Sequence, residues 1–199
     1  VISPLLANIY LNPLDHLVAE AGFAMVRYAD DFVILCRTRE DADRALARVR
    51  NWVAENGLTL HPTKTKIVDA RTDGFDFLGY TFRGSLRLPR EKSLAKLKDT
   101  IRAKTRRTHG HSLTWTIRSL RATLQGWFGY FRHCHWHVYA SLDGWIRGRL
   151  RSILRKRAGR RGRGRGADHH RWPNAYFAEQ GLYNLSAAHV RFLQSLTGP

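Results

Sequence analysis

The sequence predicts an α+β fold, and three observations point to it. Two short strand-forming runs, Ala24 to Tyr28 and Phe32 to Leu35, flank the polar pair Asp30-Asp31. Amphipathic helical patterns lie on both sides of that hairpin signal. Near Pro89 the apolar period changes from two residues to the helical three-and-four spacing, which places a domain boundary there.

Taken in order, Leu5, Leu6, Ile9, Tyr10, Leu14, Leu17 and Val18 recur at helical spacing, so the first segment is a helix lying behind the hairpin sheet, with Pro13 a candidate kink. After the hairpin, Thr38-Arg39-Glu40-Asp41 opens a second helix as a capping-box-like start. Ala42, Ala45, Leu46, Val49 and Val53 form its apolar face, and Gly57 stops it. Thr65 to Ala70, Phe75 to Phe82 and Ser85 to Leu88 alternate as strands do, with turn signals at Thr72-Asp73-Gly74 and Arg83-Gly84. Three amphipathic helices follow, carrying Leu94, Leu97 and Ile101, then Leu113 to Phe131, then Tyr139 to Ile153, as in a small bundle. From Arg147 to Arg165 ten of nineteen residues are basic, a composition that predicts a flexible segment. Order returns at Trp172, with a short last helix over Ser186 to Leu196. The expected domains are thus 1–88, 89–158 and 159–199.

Of the 199 residues 43% are hydrophobic and 11% aromatic, enough to bury a core. The net charge of +18 is unevenly spread: residues 1–88 hold 11 basic and 11 acidic side chains, and residues 89–199 hold 23 basic and 5 acidic. Such asymmetry implies a polyanionic partner. In Arg155, Lys156, Arg157, Arg160, Arg161, Arg163 and Arg165, in a half of the chain that also carries Trp, Tyr and His, it implies phosphate contact and base stacking on RNA, against the simpler reading of a solvated charge run. Cys36 and Cys134 build no disulfide framework, so an intracellular location, cytoplasmic or in a nucleoid or ribonucleoprotein, is the expectation. No run is long and apolar enough to span a bilayer. His133-Cys134-His135-His137 lacks the paired spacing of a structural zinc site; its nearest supplement, His169-His170, is distant.

Two adjacent carboxylates at a hairpin tip either form a solvated turn or hold a hard cation between them, Mg²⁺ foremost. The surrounding sequence decides for the cation. Arg27-Tyr28-Ala29-Asp30-Asp31-Phe32-Val33-Ile34 resembles the palm motif of group II intron reverse transcriptases, and four further matches stand in family order. Val1 to Leu11 resembles the end of the preceding motif. Gly57 to Lys66 and Phe75 to Tyr80 are similar to the next two palm motifs, and Gly126-Trp127-Phe128-Gly129-Tyr130-Phe131-Arg132 resembles the maturase, or thumb, signature. Arg171-Trp172-Pro173-Asn174 and Gly181-Leu182 are similar to the end of maturases without an endonuclease domain.

The resemblance implies the C-terminal part of a reverse transcriptase palm followed by an α-helical thumb/maturase domain. It implies an RNA-directed DNA polymerase that binds intron RNA and a DNA primer or target, assists splicing and supports intron mobility. By that resemblance Asp30 is the principal metal ligand and Asp31 a secondary one. Lys64 serves the departing pyrophosphate, Tyr28 and Ala29 face the primer end and incoming nucleotide, and Leu78, Gly79 and Tyr80 belong to the primer grip. The chain opens in mid-motif without an initiating Met, so the expectation is a fragment that lacks the first palm Asp and the fingers and is inactive alone, either a truncation or one half of a split polymerase whose missing parts a separate chain supplies. The rival reading is a non-catalytic RNA-binding splicing factor that uses the palm as scaffold.

Overall fold

The computed structural model describes residues 2–164 and 166–197; Val1 and Arg165, the latter among the expected RNA-binding residues, lie outside them. Two units form, residues 1–78 and 79–199. The division falls earlier than Pro89, for a reason given with the second unit.

In the first unit, helix α1 (Ser3–Glu20) starts with a proline in its first turn and runs on through Pro13. Gly22, at φ +80°, turns the chain into strand β1 (Ala24–Tyr28), which pairs antiparallel with β2 (Asp31–Leu35). Met25 faces Ile34, Val26 faces Val33, and Tyr28 faces Asp31. Asp31 is therefore the first residue of β2, and the turn itself is Ala29-Asp30. Helix α2 (Arg39–Glu55) begins where the sequence predicts, with the Thr38 side chain accepting from the Asp41 N–H at 3.1 Å. Ala45, Val49 and Val53 turn inward, and Leu14 and Val18 of α1 meet Val49 and Val53 under Met25, Phe32 and Ile34 of the hairpin.

Two expectations differ in this unit. The N-terminal half of α1 is not buried: Leu5, Leu6, Ile9 and Tyr10 are half to two-thirds exposed, because the apolar core shared with the hairpin and α2 forms on the later turns. Thr65 to Ala70 does not form a strand. Its neighbourhood is closed locally instead, by Thr65 N–H donating to the His61 carbonyl (3.0 Å), Arg71 N–H to Asp69 Oδ1 (2.8 Å) and Asp73 N–H to the Asp69 carbonyl (2.9 Å). An Asp that offers the backbone its own acceptor competes with a ladder. Strand β3 (Phe75–Phe77) ends at Leu78, and Leu78 and Gly79 both take positive φ, so the expected strand to Phe82 is interrupted.

In the second unit, β4 (Tyr80–Arg83) and β5 (Leu86–Pro89) make a hairpin around Gly84, at φ +56°. Tyr80 and Leu88 pack against the helical core, which is why this hairpin belongs with the helices. Helices α3 (Glu91–Lys104), α4 (Leu113–Phe131) and α5 (Trp136–Arg157) follow, then the short α6 (Gly166–Arg171) and α7 (Asn174–Glu179), and finally α8 (Leu185–Leu196). Leu120, Leu124, Tyr139, Leu150 and Phe177 are completely buried in their shared core. The Arg-rich stretch is helical as far as Arg157. Beyond it the backbone is tied down: the Arg161 carbonyl accepts from Arg155 Nε (2.8 Å) and the Gly162 carbonyl from Arg107 Nη1 (3.3 Å). The composition signalled solvation; the internal ion pair that folds the segment back depends on Asp168, outside the run.

Candidate active site and nucleic-acid interface

The hairpin tip presents Tyr28, Ala29, Asp30 and Asp31 together. Tyr28 is 66% exposed, and both Asp side chains lie at the surface. Ala29 holds φ +54°, a conformation that an L-residue adopts only when its surroundings enforce it. The enforcing group is Arg27. Its guanidinium donates from Nη1 to the Ala29 carbonyl (2.9 Å) and to Asn8 Oδ1 (2.9 Å), and from Nε and Nη2 to the two carboxylate oxygens of Asp15 (2.8 and 2.5 Å). The side chain is only 10% exposed, and its bond to Asp15 raises its pKa further, so it is charged at any pH the fold survives. The clamp joins α1 to the turn from one side. It also closes the Asp15 carboxylate of α1, while Asp30 and Asp31 lie exposed at the tip.

Those two carboxylates fit a hard divalent ion: Mg²⁺ takes one or two carboxylates from the protein and completes its shell with water and substrate phosphate. Lys64 lies exposed on a separate turn of the same unit. In the second unit Gly79 packs close to Phe131, Ser93 and Tyr130, each 3.7 Å from where a Cβ would stand. Tyr80 donates its hydroxyl to the Tyr130 carbonyl (2.5 Å), stacks on the Tyr130 ring with centroids at 6.0 Å and packs at a tilt against Phe131 at 5.1 Å. Burial pushes its phenol up to about 12. Tyr80 is thus engaged within its own unit, and Leu78 is half-buried.

The arginines divide into two sets. Arg155 is internal: Nη1 donates to Asp168 Oδ2 at 2.8 Å, with 15% of the Arg155 side chain and none of Asp168 exposed. Arg157 is exposed but donates to the His111 carbonyl. Lys156, Arg160, Arg161 and Arg163 are exposed. Two further cations expected of no role by sequence are structural. Arg151 is buried, donating to the Trp172 carbonyl (2.9 Å) and Asn174 Oδ1 (2.8 Å) over the Phe177 ring, and Arg149 donates to Thr105 Oγ1 (2.5 Å).

Sequence reasoning missed the Arg27 clamp. The available signal was an Arg in a strand whose neighbours are apolar, since a covered guanidinium needs a carboxylate. Which carboxylate depends on how α1 docks, and that is tertiary information. In the His133 to His137 cluster, Cys134 is buried and its thiol pushed up to about 12, while His133 packs edge-on against Phe192.

Comparison with known families gives two matches. Residues 1–82 match the family described as reverse transcriptase (RNA-dependent DNA polymerase), and residues 94–172 match the group II intron, maturase-specific domain. No curated protein matches the chain.

Proposed function

The chain belongs to the group II intron reverse transcriptase/maturase family, and from that premise we propose that Asp30 and Asp31 hold Mg²⁺ for nucleotide addition while the basic unit grips intron RNA. The family is one of RNA-directed DNA polymerases that use a divalent metal. The observation that carries the reading is the exposed Asp30-Asp31 pair on a turn fixed by Arg27. When bound, the ion supplies charge stabilisation to the attacking and leaving oxygens of an in-line phosphoryl transfer.

The chain's own residues do the rest. Asp30, in the turn, is the principal ligand, and Asp31, at the head of β2, the secondary one. Tyr28 borders the primer end and incoming nucleotide, and the small Ala29 lets them approach. Lys64 brings a cation toward the pyrophosphate. Leu78, Gly79 and Tyr80 support the primer from behind their packed rings. Lys156, Arg160, Arg161, Arg163 and Arg165 bind phosphates of intron RNA, with the DNA primer or target as second nucleic-acid partner. Arg155 braces that surface from within, and Arg157 from the surface through the His111 carbonyl. By sequence, palm, thumb/maturase domain and extension occupy 1–88, 89–158 and 159–199 in this reading, the β4–β5 hairpin at the end of the first packing on the helices of the second. No helix among the described residues is long and apolar enough to cross a membrane; the proposed place of action is an intracellular ribonucleoprotein.

Two-metal chemistry needs carboxylates on both sides of the ion pair. In the first unit Asp15 is closed on Arg27, Asp41 on Arg44 and Asp43 on Arg39, and among the described residues no three His, Cys, Asp or Glu side chains group to hold an ion. In this reading Asp30 and Asp31 supply one side of the ion pair, the chain by itself binds RNA without extending a primer, and a chain that carries a further palm carboxylate restores extension. Primer extension by the purified chain with Mg²⁺ or Mn²⁺ tests this: no product alone and product on adding the complementary chain are expected, and robust extension alone would overturn the division.

A further inference from the structure

At the start of α4 the indole of Trp115 stacks on the imidazole of His111, with centroids 3.7 Å apart and planes within 25°. His109 meets His111 edge-on at 5.5 Å. Trp115 remains 46% exposed, so one aromatic face is covered and the other is open to solvent. The pair is held in place from below. The Ser112 side chain accepts from the Trp115 N–H at 3.1 Å, and Arg157 donates to the His111 carbonyl. An exposed indole fixed by its backbone and by a stacked ring loses little freedom when a second ring is laid on it.

The surroundings specify that second ring. Arg106 and Arg107 are exposed in the same loop, and Arg107 bonds the Gly162 carbonyl, which brings the connector bearing Arg160, Arg161 and Arg163 to the edge of the platform. A flat aromatic surface rimmed by guanidinium groups is complementary to a planar base carried on a phosphate chain. A paired base keeps both faces covered by its neighbours and is denied such a platform, whereas an unpaired one can be splayed onto it.

We infer that Trp115 and His111 form a stacking site for an unpaired base of single-stranded RNA, with the phosphates on either side held by Arg106, Arg107 and the connector arginines. This rests on the reading that the basic unit binds RNA, and adds to it a preference for unpaired segments. The site is read within the second unit, from the α3–α4 loop, the first turn of α4 and the connector after α5.

The test uses the 199-residue chain and two labelled RNA probes, a short single strand of mixed sequence and a blunt duplex of the same length, with the same single strand as DNA for comparison, followed by fluorescence anisotropy. Trp115→Ala weakens single-strand binding about ten-fold and duplex binding less than about two-fold, while Trp115→Phe retains most of the single-strand affinity. The salt dependence of the remaining binding stays that of the parent, because the phosphate contacts are intact. Circular dichroism of both variants reports whether α4 is preserved; if Trp115→Ala unfolds, the Phe variant and His111→Ala carry the comparison. Equal losses on the two probes, or none on the single strand, overturn the stacking site while leaving RNA binding by the basic unit in place. Tighter binding of the same strand in its DNA form overturns the assignment to RNA. Failure of the parent chain to bind either RNA overturns both readings.

Discussion

A residue at φ +54° is ordinarily glycine, and Ala29 keeps that conformation because Arg27 binds its carbonyl while α1 holds Arg27 through Asn8 and Asp15. Lys at position 27 would keep the charge and lose the fork that reaches all three partners at once. Arg27→Lys is therefore expected to leave the unit folded and to lower the maximal rate of primer extension about ten-fold or more in the assembled polymerase, since small misplacements of reacting groups carry penalties of that size. The nucleotide KM should move much less. A KM change with unaltered rate would show that Arg27 serves substrate binding and not the placing of Asp30. Asp30 and Asp31 were singled out because the run from Arg27 to Ile34 resembles a palm motif, the pair alone being equally at home in a solvated turn. Arg27 was not, because its partners lie 12 and 19 residues away on another element.

At the scale of elements, local signals are legible in the sequence and docking is not. The cap and apolar face of α2 are written within seventeen residues, and the helix forms as they dictate. For α1 the apolar period is visible, but which of its turns are covered is set by where the core shared with the hairpin and α2 forms. The C-terminal helices show the same limit: α6 and α8 are held by two buried acids that sequence marks as ordinary. Asp143, 4% exposed, accepts from the Leu185 and Ser186 N–H groups (3.0 and 2.9 Å) and from the Ser186 hydroxyl (2.7 Å), fixing the start of α8 to α5. Asp168 pairs with Arg155 inside the fold. Breaking such a buried pair strands its partner's charge, so Asp168→Ala should lower stability by about 3 kcal/mol, and Asp143→Ala by about 2 kcal/mol through the missing helix-start bonds. Thermal melts report both. A change in either below about 0.5 kcal/mol would mean that these acids do not hold the C-terminal helices.

Across the whole molecule, charge divides with chemistry. Residues 1–78 carry 9 Lys and Arg against 11 Asp and Glu, and residues 79–199 carry 25 against 5. An acidic-leaning unit suits a cation site, and a strongly basic one suits polyphosphate. RNA affinity should therefore fall steeply as salt rises, and replacing Arg160, Arg161, Arg163 and Arg165 with Ser should flatten the log–log slope by about 0.7 for each phosphate no longer neutralised. An unchanged slope would remove the connector from the interface. The central claim, that one chain joins metal chemistry at the hairpin tip to RNA binding elsewhere, is tested most directly by Asp30→Asn in the assembled polymerase, with primer extension and RNA affinity measured on the same preparation. The amide keeps the shape of the turn and removes the charge that holds the ion. The account predicts that extension is abolished while RNA affinity stays within about two-fold of the parent; extension at a rate comparable to the parent would contradict it.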